Sequence, residues 1–220
     1  IEGAGSSASP WTEVSSAPNC STIFHKEVYV SRNDKLFPNY GVSDLLEYRI
    51  NQNMDVLMQQ LDGLPFWGKR AAGSSSTARS AGGLATFITT NLTALSSAVL
   101  LKSHIDTEFL QIHAAGGDTD LILCDPWGQK KINDFYEGFV STGRSEKTGG
   151  IVIKQLMHPI TGKLVDIVVD RNCPAGNMWF LDRRYVGFIT LDPFFYEELA
   201  KTGDFEKGET IGEYGFVVAY

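Results

Sequence analysis

The feature of the sequence that most constrains the fold is a regular apolar stripe that ends at Leu64. Its members are spaced 4, 4, 4, 3, 4 and 3 residues apart: Val42, Leu46, Ile50, Met54, Leu57, Leu61 and Leu64. This spacing follows the 3.6-residue period of an α-helix. The stripe predicts a helix over residues 40–62, about 35 Å long at 1.5 Å per residue. Ser43 and Asp44 suit its first turn, and Gly63 and Pro65 are expected to stop it.

Composition narrows the class of protein. Of the 220 residues, 43% are hydrophobic, which is enough to bury a core in one or two domains. Lys and Arg total 19 against 26 for Asp and Glu, giving a net charge of −7. A dedicated nucleic-acid binder would carry a dense basic patch instead, so any contact with DNA is expected to be passive. No stretch approaches the ~20 apolar residues that span a bilayer, and no membrane partner is expected.

The remaining periodicities predict a mixed fold. β-branched and aromatic residues indicate strands at 21–31, 120–124, 151–157, 164–169, 178–181, 186–191 and 209–220. Further helices are expected at 106–114 and after Asp125-Pro126, where the aspartate suits an N-cap and the proline a first turn. Helices combined with mostly antiparallel strands predict the α+β class. The chain opens without Met in a run rich in Gly, Ser and Ala, so we expect that an N-terminal segment is cleaved or missing.

The strand at 21–31 has an unusual distribution of side chains. Phe24, Lys26 and Val28 fall on one face, while Ile23 shares the other with polar neighbours. Apolar and charged residues on both faces suit a single core badly. We therefore expect an extended arm that lies on a neighbouring molecule.

Catalytic motifs are weak throughout. Three cysteines, Cys20, Cys124 and Cys173, have no C-x-x-C spacing, so neither a disulfide framework nor a zinc site is indicated. The four histidines lack metal-ligand spacing: His25, His104, His113 and His158. A hydrolase using Cys173 or a carboxylate pair remains the enzymatic alternative. The acidic residues near Glu197 and Glu206 indicate an ion-paired loop beside lysines.

Four stretches of sequence resemble a branch of tailed-bacteriophage major capsid proteins. They are NCSTIF at 19–24, SAGGL at 80–84, DLILCDP at 120–126 with QKKI at 129–132, and EELAKTGDFEKG at 197–208 running into GEY at 212–214. The matches fall in order along nearly the whole chain, and the last is the most specific. The chain departs from this resemblance in the long helix, where it has Met54 and the family leads us to expect a basic residue.

The resemblance implies the Hong Kong 97-type fold and a structural function. It assigns residues 1–38 to an extended-loop arm, 39–92 to a spine helix and peripheral domain, 93–182 to an axial domain and 183–220 to peripheral return strands. On the arm, it points to five subunit-interface residues: Ile23, Phe24, Lys26, Val28 and Val30. No catalytic residue, cofactor or metal is expected, and a lysine-to-asparagine crosslink through Lys26 is not favoured.

The implied function is self-assembly into hexamers and pentamers of an icosahedral head that encloses double-stranded DNA. The implied partners are other copies of the chain, with scaffold, portal and decoration proteins as further candidates. Assembly is expected in the host cytoplasm, and the mature protein in the virion. A phage accessory protein, of the decoration or tail class, is the alternative of another kind.

Overall fold

The computed structural model describes residues 18–37, 41–96, 99–136, 152–201 and 203–219. The helices are α1 (Arg32–Leu36), α2 (Leu45–Trp67), α3 (Leu84–Phe87), α4 (Lys102–Ala114) and α5 (Pro126–Tyr136). The strands are β1 (Thr22–Ser31), β2 (Leu121–Cys124), β3 (Gln155–Met157), β4 (Leu164–Val169), β5 (Met178–Leu181), β6 (Val186–Leu199) and β7 (Phe205–Val218). These elements confirm the α+β class.

Helix α2 is the long helix that the apolar stripe predicts, with its bounds displaced. Asp44 is the N-cap, since its carboxylate accepts hydrogen bonds from the amides of Leu46 and Glu47. The predicted stop at residue 62 is wrong, because the helix passes through Pro65 to Trp67. Pro65 and its neighbours on both sides are buried, so packing of this last turn offsets the one backbone hydrogen bond that proline cannot donate.

The strands form two sheets. One has the order β1-β7-β6 and is antiparallel throughout. The other has the order β3-β4-β2-β5, with β2 parallel to β4 and the remaining pairs antiparallel. The predicted strand at 120–124 and the hairpin of β3 and β4 are confirmed.

Strands β6 and β7 are longer than the sequence indicates. The acidic segment predicted as a loop lies within them, because Glu197 pairs with Glu209 and Glu206 lies opposite Val30. The ion pairing expected there is present, since Glu206 contacts Lys201 and Lys35.

Two hydrophobic clusters form the core. The first combines α2, α3, β1, β7 and part of the 173–181 segment; its buried members are Phe24, Leu57, Leu64, Phe66, Ala81, Leu84, Cys173, Leu181 and Phe216. The second lies between the four-stranded sheet and helices α4 and α5; its buried members are Ile105, Phe109, Ile122, Cys124, Ile132, Ile153, Leu156, Val165 and Ile167. Strand β2 joins them, because Leu121 and Leu123 pack against the first cluster and Ile122 and Cys124 belong to the second.

Candidate functional site: a sheet face suited to assembly

Strand β1 has one buried face and one exposed face, which corrects the expectation of a two-faced arm. Phe24, Val28 and Val30 are buried against the molecule's own core, and Lys26 between them is half-buried. The ring of Phe24 meets those of Phe194 and Tyr214 edge-on, at centroid distances of 6.3 and 6.4 Å. The strand is therefore an integral part of the three-stranded sheet.

This burial bears on the five expected interface residues, whose role stays a prediction. Phe24, Val28 and Val30 are buried in the chain's own interior, so their side chains do not lie on the surface of the single subunit. Ile23 is 54% exposed on the opposite face. Of the five residues, Ile23 is thus the one that is well placed to contact another molecule, with Lys26 only partly accessible.

The exposed face of this sheet combines apolar and charged side chains. Directly paired residues of antiparallel strands share a face, so Tyr29 of β1 and Phe195 of β6, both exposed, lie on the same side as Ile23. Between them, Lys207 Nζ lies 2.8 Å from Glu27 Oε2, and His25 Nε2 lies 3.4 Å from Glu209 Oε2. Lys207 lowers the pKa of the Glu27 carboxyl by hydrogen bonding and by its charge.

The edge of β1 that faces away from β7 is covered by helix α2. Arg49 donates a hydrogen bond to the Tyr29 carbonyl over 2.6 Å, and Asn53 donates one to the Glu27 carbonyl over 3.2 Å. Both polar residues interrupt the apolar character of α2 where it crosses β1. Sequence reasoning missed them; their only signal is that Arg49 and Asn53 adjoin the stripe positions Ile50 and Met54.

Large apolar side chains are exposed on other elements too. Those more than half exposed include Leu36, Phe37, Met58, Trp67, Leu110, Met157, Leu164 and Leu191. Scattered exposure of this kind is ordinary on protein surfaces, but clusters of large apolar side chains mark interaction sites. Leu36 and Phe37 are adjacent and each is 70% exposed.

The cysteines have surroundings that disfavour nucleophilic chemistry. Burial raises the pKa of Cys124 to about 12 and that of Cys173 to about 11, with nearby carboxylates adding to the effect. A nucleophilic cysteine requires the thiolate, which an adjacent cation or base stabilises. The Cys173 Sγ instead lies 3.5 Å from the Asn177 carbonyl oxygen. The arrangement that a Cys173 hydrolase needs is not formed among the described residues.

The histidines and carboxylates likewise form no metal site in the part of the chain that the structure describes. His25 and His104 lie on separate elements, whereas His113 and His158 approach each other with ring centroids 6.4 Å apart. Several carboxylates serve in ion pairs; the Arg183 guanidinium, for example, lowers the pKa of Asp166 by hydrogen bonding. None of the helices in the same described ranges combines the length and the apolar composition that a membrane span requires.

Comparison with known proteins gives one family and a set of similar folds. The family described as SU10 major capsid protein matches residues 1–220. No curated protein sequence matches significantly. Among solved structures, a protein of Mycobacterium phage Adephagia shares 12% identity, with a TM-score of 0.57 over 97% of this chain and 73% of that one.

Two further structures are similar at comparable levels. The Cyanophage A-1(L) capsid asymmetric unit has 12% identity and a TM-score of 0.61 over 90% of this chain and 74% of that one. The SrpI encapsulin complex from Synechococcus elongatus PCC 7942 has 10% identity and a TM-score of 0.62 over 91% and 70%. Identities this low show a common fold and nothing more.

Proposed function

The chain belongs to the SU10 major capsid protein family, and from that premise we propose that it builds the hexameric and pentameric capsomers of an icosahedral phage head. It is a capsid-forming protein with the Hong Kong 97-type fold. The observation that carries the proposal is the family match over residues 1–220. In this proposal the head assembles in the host cytoplasm and encloses double-stranded DNA, with passive contacts to the DNA.

The function proposed is binding, without catalysis. The buried, protonated state of Cys124 and Cys173 supports this view, since burial raises the pKa of Cys124 to about 12 and that of Cys173 to about 11. The exposed apolar side chains support a binding function, because assembly would cover them with neighbouring subunits. Scaffold, portal and decoration proteins are proposed as further partners of the assembled shell.

The domain assignment stays part of the proposal. We assign residues 1–38 to the extended-loop arm, 39–92 and 183–220 to the peripheral domain and 93–182 to the axial domain; in this assignment the arm includes β1, which pairs with β7 of the peripheral domain. The two hydrophobic clusters favour a division of this kind, although Cys173 and Leu181 pack in the first cluster with α2. The assignments for residues 1–17, 38–40, 97–98, 137–151, 202 and 220 lie outside the described residues.

Particle formation is the direct test of the proposed function. The full chain is expressed with its phage scaffold, and the product is sized by electron microscopy and analytical ultracentrifugation. Closed shells tens of nanometres across are the expected result. Small oligomers under every condition would favour the decoration or tail class of protein instead.

Ile23 is proposed as a contact between subunits. The Ile23→Asp variant is expected to keep the circular dichroism spectrum and melting temperature of the wild type while forming few shells, because the side chain is exposed within the subunit. Val28→Asp, which puts a charge at a position 4% exposed, is the matched control and is expected to unfold. Normal shells from Ile23→Asp would remove this residue from the interface.

A further inference from the structure

The turn between β3 and β4 is organised around a buried imidazole. His158 follows β3 directly and is only 1% exposed. Its Nδ1 accepts hydrogen bonds from the amides of Ile160 and Thr161, each over 3.2 Å. The backbone closes the same turn, because the His158 amide donates to the Lys163 carbonyl over 2.7 Å and the Gly162 amide donates to the His158 carbonyl over 3.0 Å.

This geometry fixes the protonation state of the ring. An Nδ1 that accepts from two amides carries no hydrogen, so the neutral ring holds its proton on Nε2. Nε2 is itself buried and has no hydrogen-bond partner among the described residues. The ring packs edge-on against Phe109 of α4, with centroids 4.6 Å apart. A second proton would have to bind at Nδ1, where it would point at two amide hydrogens.

From this arrangement we propose that His158 is a pH-sensitive latch, holding the β3–β4 turn closed when neutral and releasing it when protonated. The inference rests on the fold alone and does not depend on the proposed function. Protonation removes both side-chain hydrogen bonds of the turn and places a charge in a buried site, and both changes destabilise the closed turn.

The groups around the ring support this direction. His113 faces it from α4, Asp118 from the segment before β2, and Lys163 from the segment before β4. Burial lowers the pKa of His158, and the charges of His113 and Lys163 lower it further. The Asp118 carboxylate acts in the opposite direction and raises the pKa. Asp118 forms an ion pair with Lys163, whose hydrogen bond lowers the pKa of that carboxyl. Asp118 therefore stays ionised through the mildly acidic range in which His158 responds.

The sign of the effect follows from proton linkage. An exposed histidine has a pKa of about 6.5, so the open turn binds a proton more readily than the closed turn, whose pKa is lower. Opening is thus favoured as the pH falls below about 6.5, by up to tenfold per pH unit until the closed form also protonates. Well above pH 7 the imidazole is neutral in both forms, so opening no longer depends on pH.

Hydrogen exchange of the full chain tests the latch locally. Protection factors of the Ile160 and Thr161 amides, corrected for intrinsic exchange, are measured between pH 7.5 and pH 5.0. They are expected to fall by up to about tenfold per pH unit below 6.5, whereas amides of the distant helix α2 keep their protection. Constant protection at Ile160 and Thr161 over this range would overturn the proposal.

Two variants make the test specific. In His158→Asn, the amide oxygen occupies the position of Nδ1 and accepts the same two hydrogen bonds but cannot titrate. Its turn is expected to stay closed, with protection independent of pH. His113→Asn removes the neighbouring imidazole and is expected to keep the wild-type pH dependence. A pH-dependent loss of protection in His158→Asn equal to that of the wild type would refute the role of His158.

Discussion

At the scale of single residues, the structure explains side chains whose roles the sequence leaves open. Gly212 of β7 is one of them, because it belongs to a stretch that resembles capsid proteins but has no evident reason to be glycine. A Cβ at this position would lie 2.5 Å from Cδ1 of Phe194, whose ring covers the glycine from β6. Phe194 in turn packs on Tyr214 at a centroid distance of 4.8 Å. The absent side chain makes room for an aromatic cluster.

We therefore predict that Gly212→Ala destabilises the subunit by about 1–3 kcal/mol, because the methyl group overpacks the site. Chemical denaturation of unassembled subunits measures the change. Replacing Phe194 by Leu in the Gly212→Ala background is expected to recover part of the loss. Gly187→Ala is the control, since no atom lies within 4 Å of its added Cβ. Equal effects of Gly212→Ala and Gly187→Ala would contradict the packing argument.

A second residue-scale prediction concerns thiol reactivity. Cys20 is partly accessible, whereas Cys124 and Cys173 are buried, and burial raises their pKa values to about 12 and about 11. Because the thiolate is the reactive form, a maleimide at pH 7.5 is expected to label Cys20 alone in the native chain. All three should react in denaturant. Mass spectrometry identifies the labelled positions, and native labelling of Cys173 at the rate of Cys20 would contradict its inert, structural role.

At the scale of elements, β1 has the clearest consequence. Ten of its residues pair with β7, three contribute buried side chains, and Arg49 and Asn53 of α2 cover its outer carbonyls. Deleting residues 1–31 would expose the edge of β7 and part of the first hydrophobic cluster. We predict that this truncated chain does not fold cooperatively.

The matched truncation removes residues 1–17 and leaves β1 in place. It is expected to unfold at about the temperature of the full chain, and thermal circular dichroism compares the two. A cooperative transition at the wild-type temperature for the chain that lacks residues 1–31 would mean that β1 contributes no stability. Reduced shell formation by the shorter truncation alone would support the arm as an assembly element.

Elements with a strong local signal could be predicted from the sequence, and those fixed by tertiary contacts could not. The stripe of α2 and the Asp125 N-cap of α5 are local patterns, and both are present, with Asp125 accepting from the Gly128 amide over 2.7 Å. The predicted end of α2 is wrong, because the buried packing of Pro65 offsets the tendency of proline to stop a helix. The two faces of β1 are as predicted, but its packing in the subunit's own core is not evident from the sequence, because half-buried Lys26 interrupts the apolar face. The exposed sheet face depends on the pairing of distant strands, which a single sequence does not reveal.

At the scale of the whole molecule, the two hydrophobic clusters are coupled through β2. This strand is four residues long and directs alternate side chains into each cluster. Cys173 and Leu181 of β5 also belong to the first cluster. They come later in the sequence than every buried residue of the second cluster. If the second cluster unfolded, β2 and β5 would lose their positions in the sheet, and the first cluster would lose the side chains that these strands contribute. Neither cluster is therefore complete without the other.

We predict that the unassembled subunit unfolds in a single transition in spite of its two clusters. Calorimetry should give one peak whose van't Hoff and calorimetric enthalpies agree. Ile122→Ala, in the second cluster and fully buried, is expected to lower stability by about 2–5 kcal/mol and the melting temperature by roughly 5–15 °C. Because β2 transmits the loss, hydrogen exchange in α2 should accelerate together with exchange in β4. Ile189→Ala, at an exposed position of β6, controls for a general effect of substitution and should shift neither. Two resolved transitions, or an Ile122→Ala effect confined to β4, would show that the clusters are independent units and that the boundary between them is a true domain boundary.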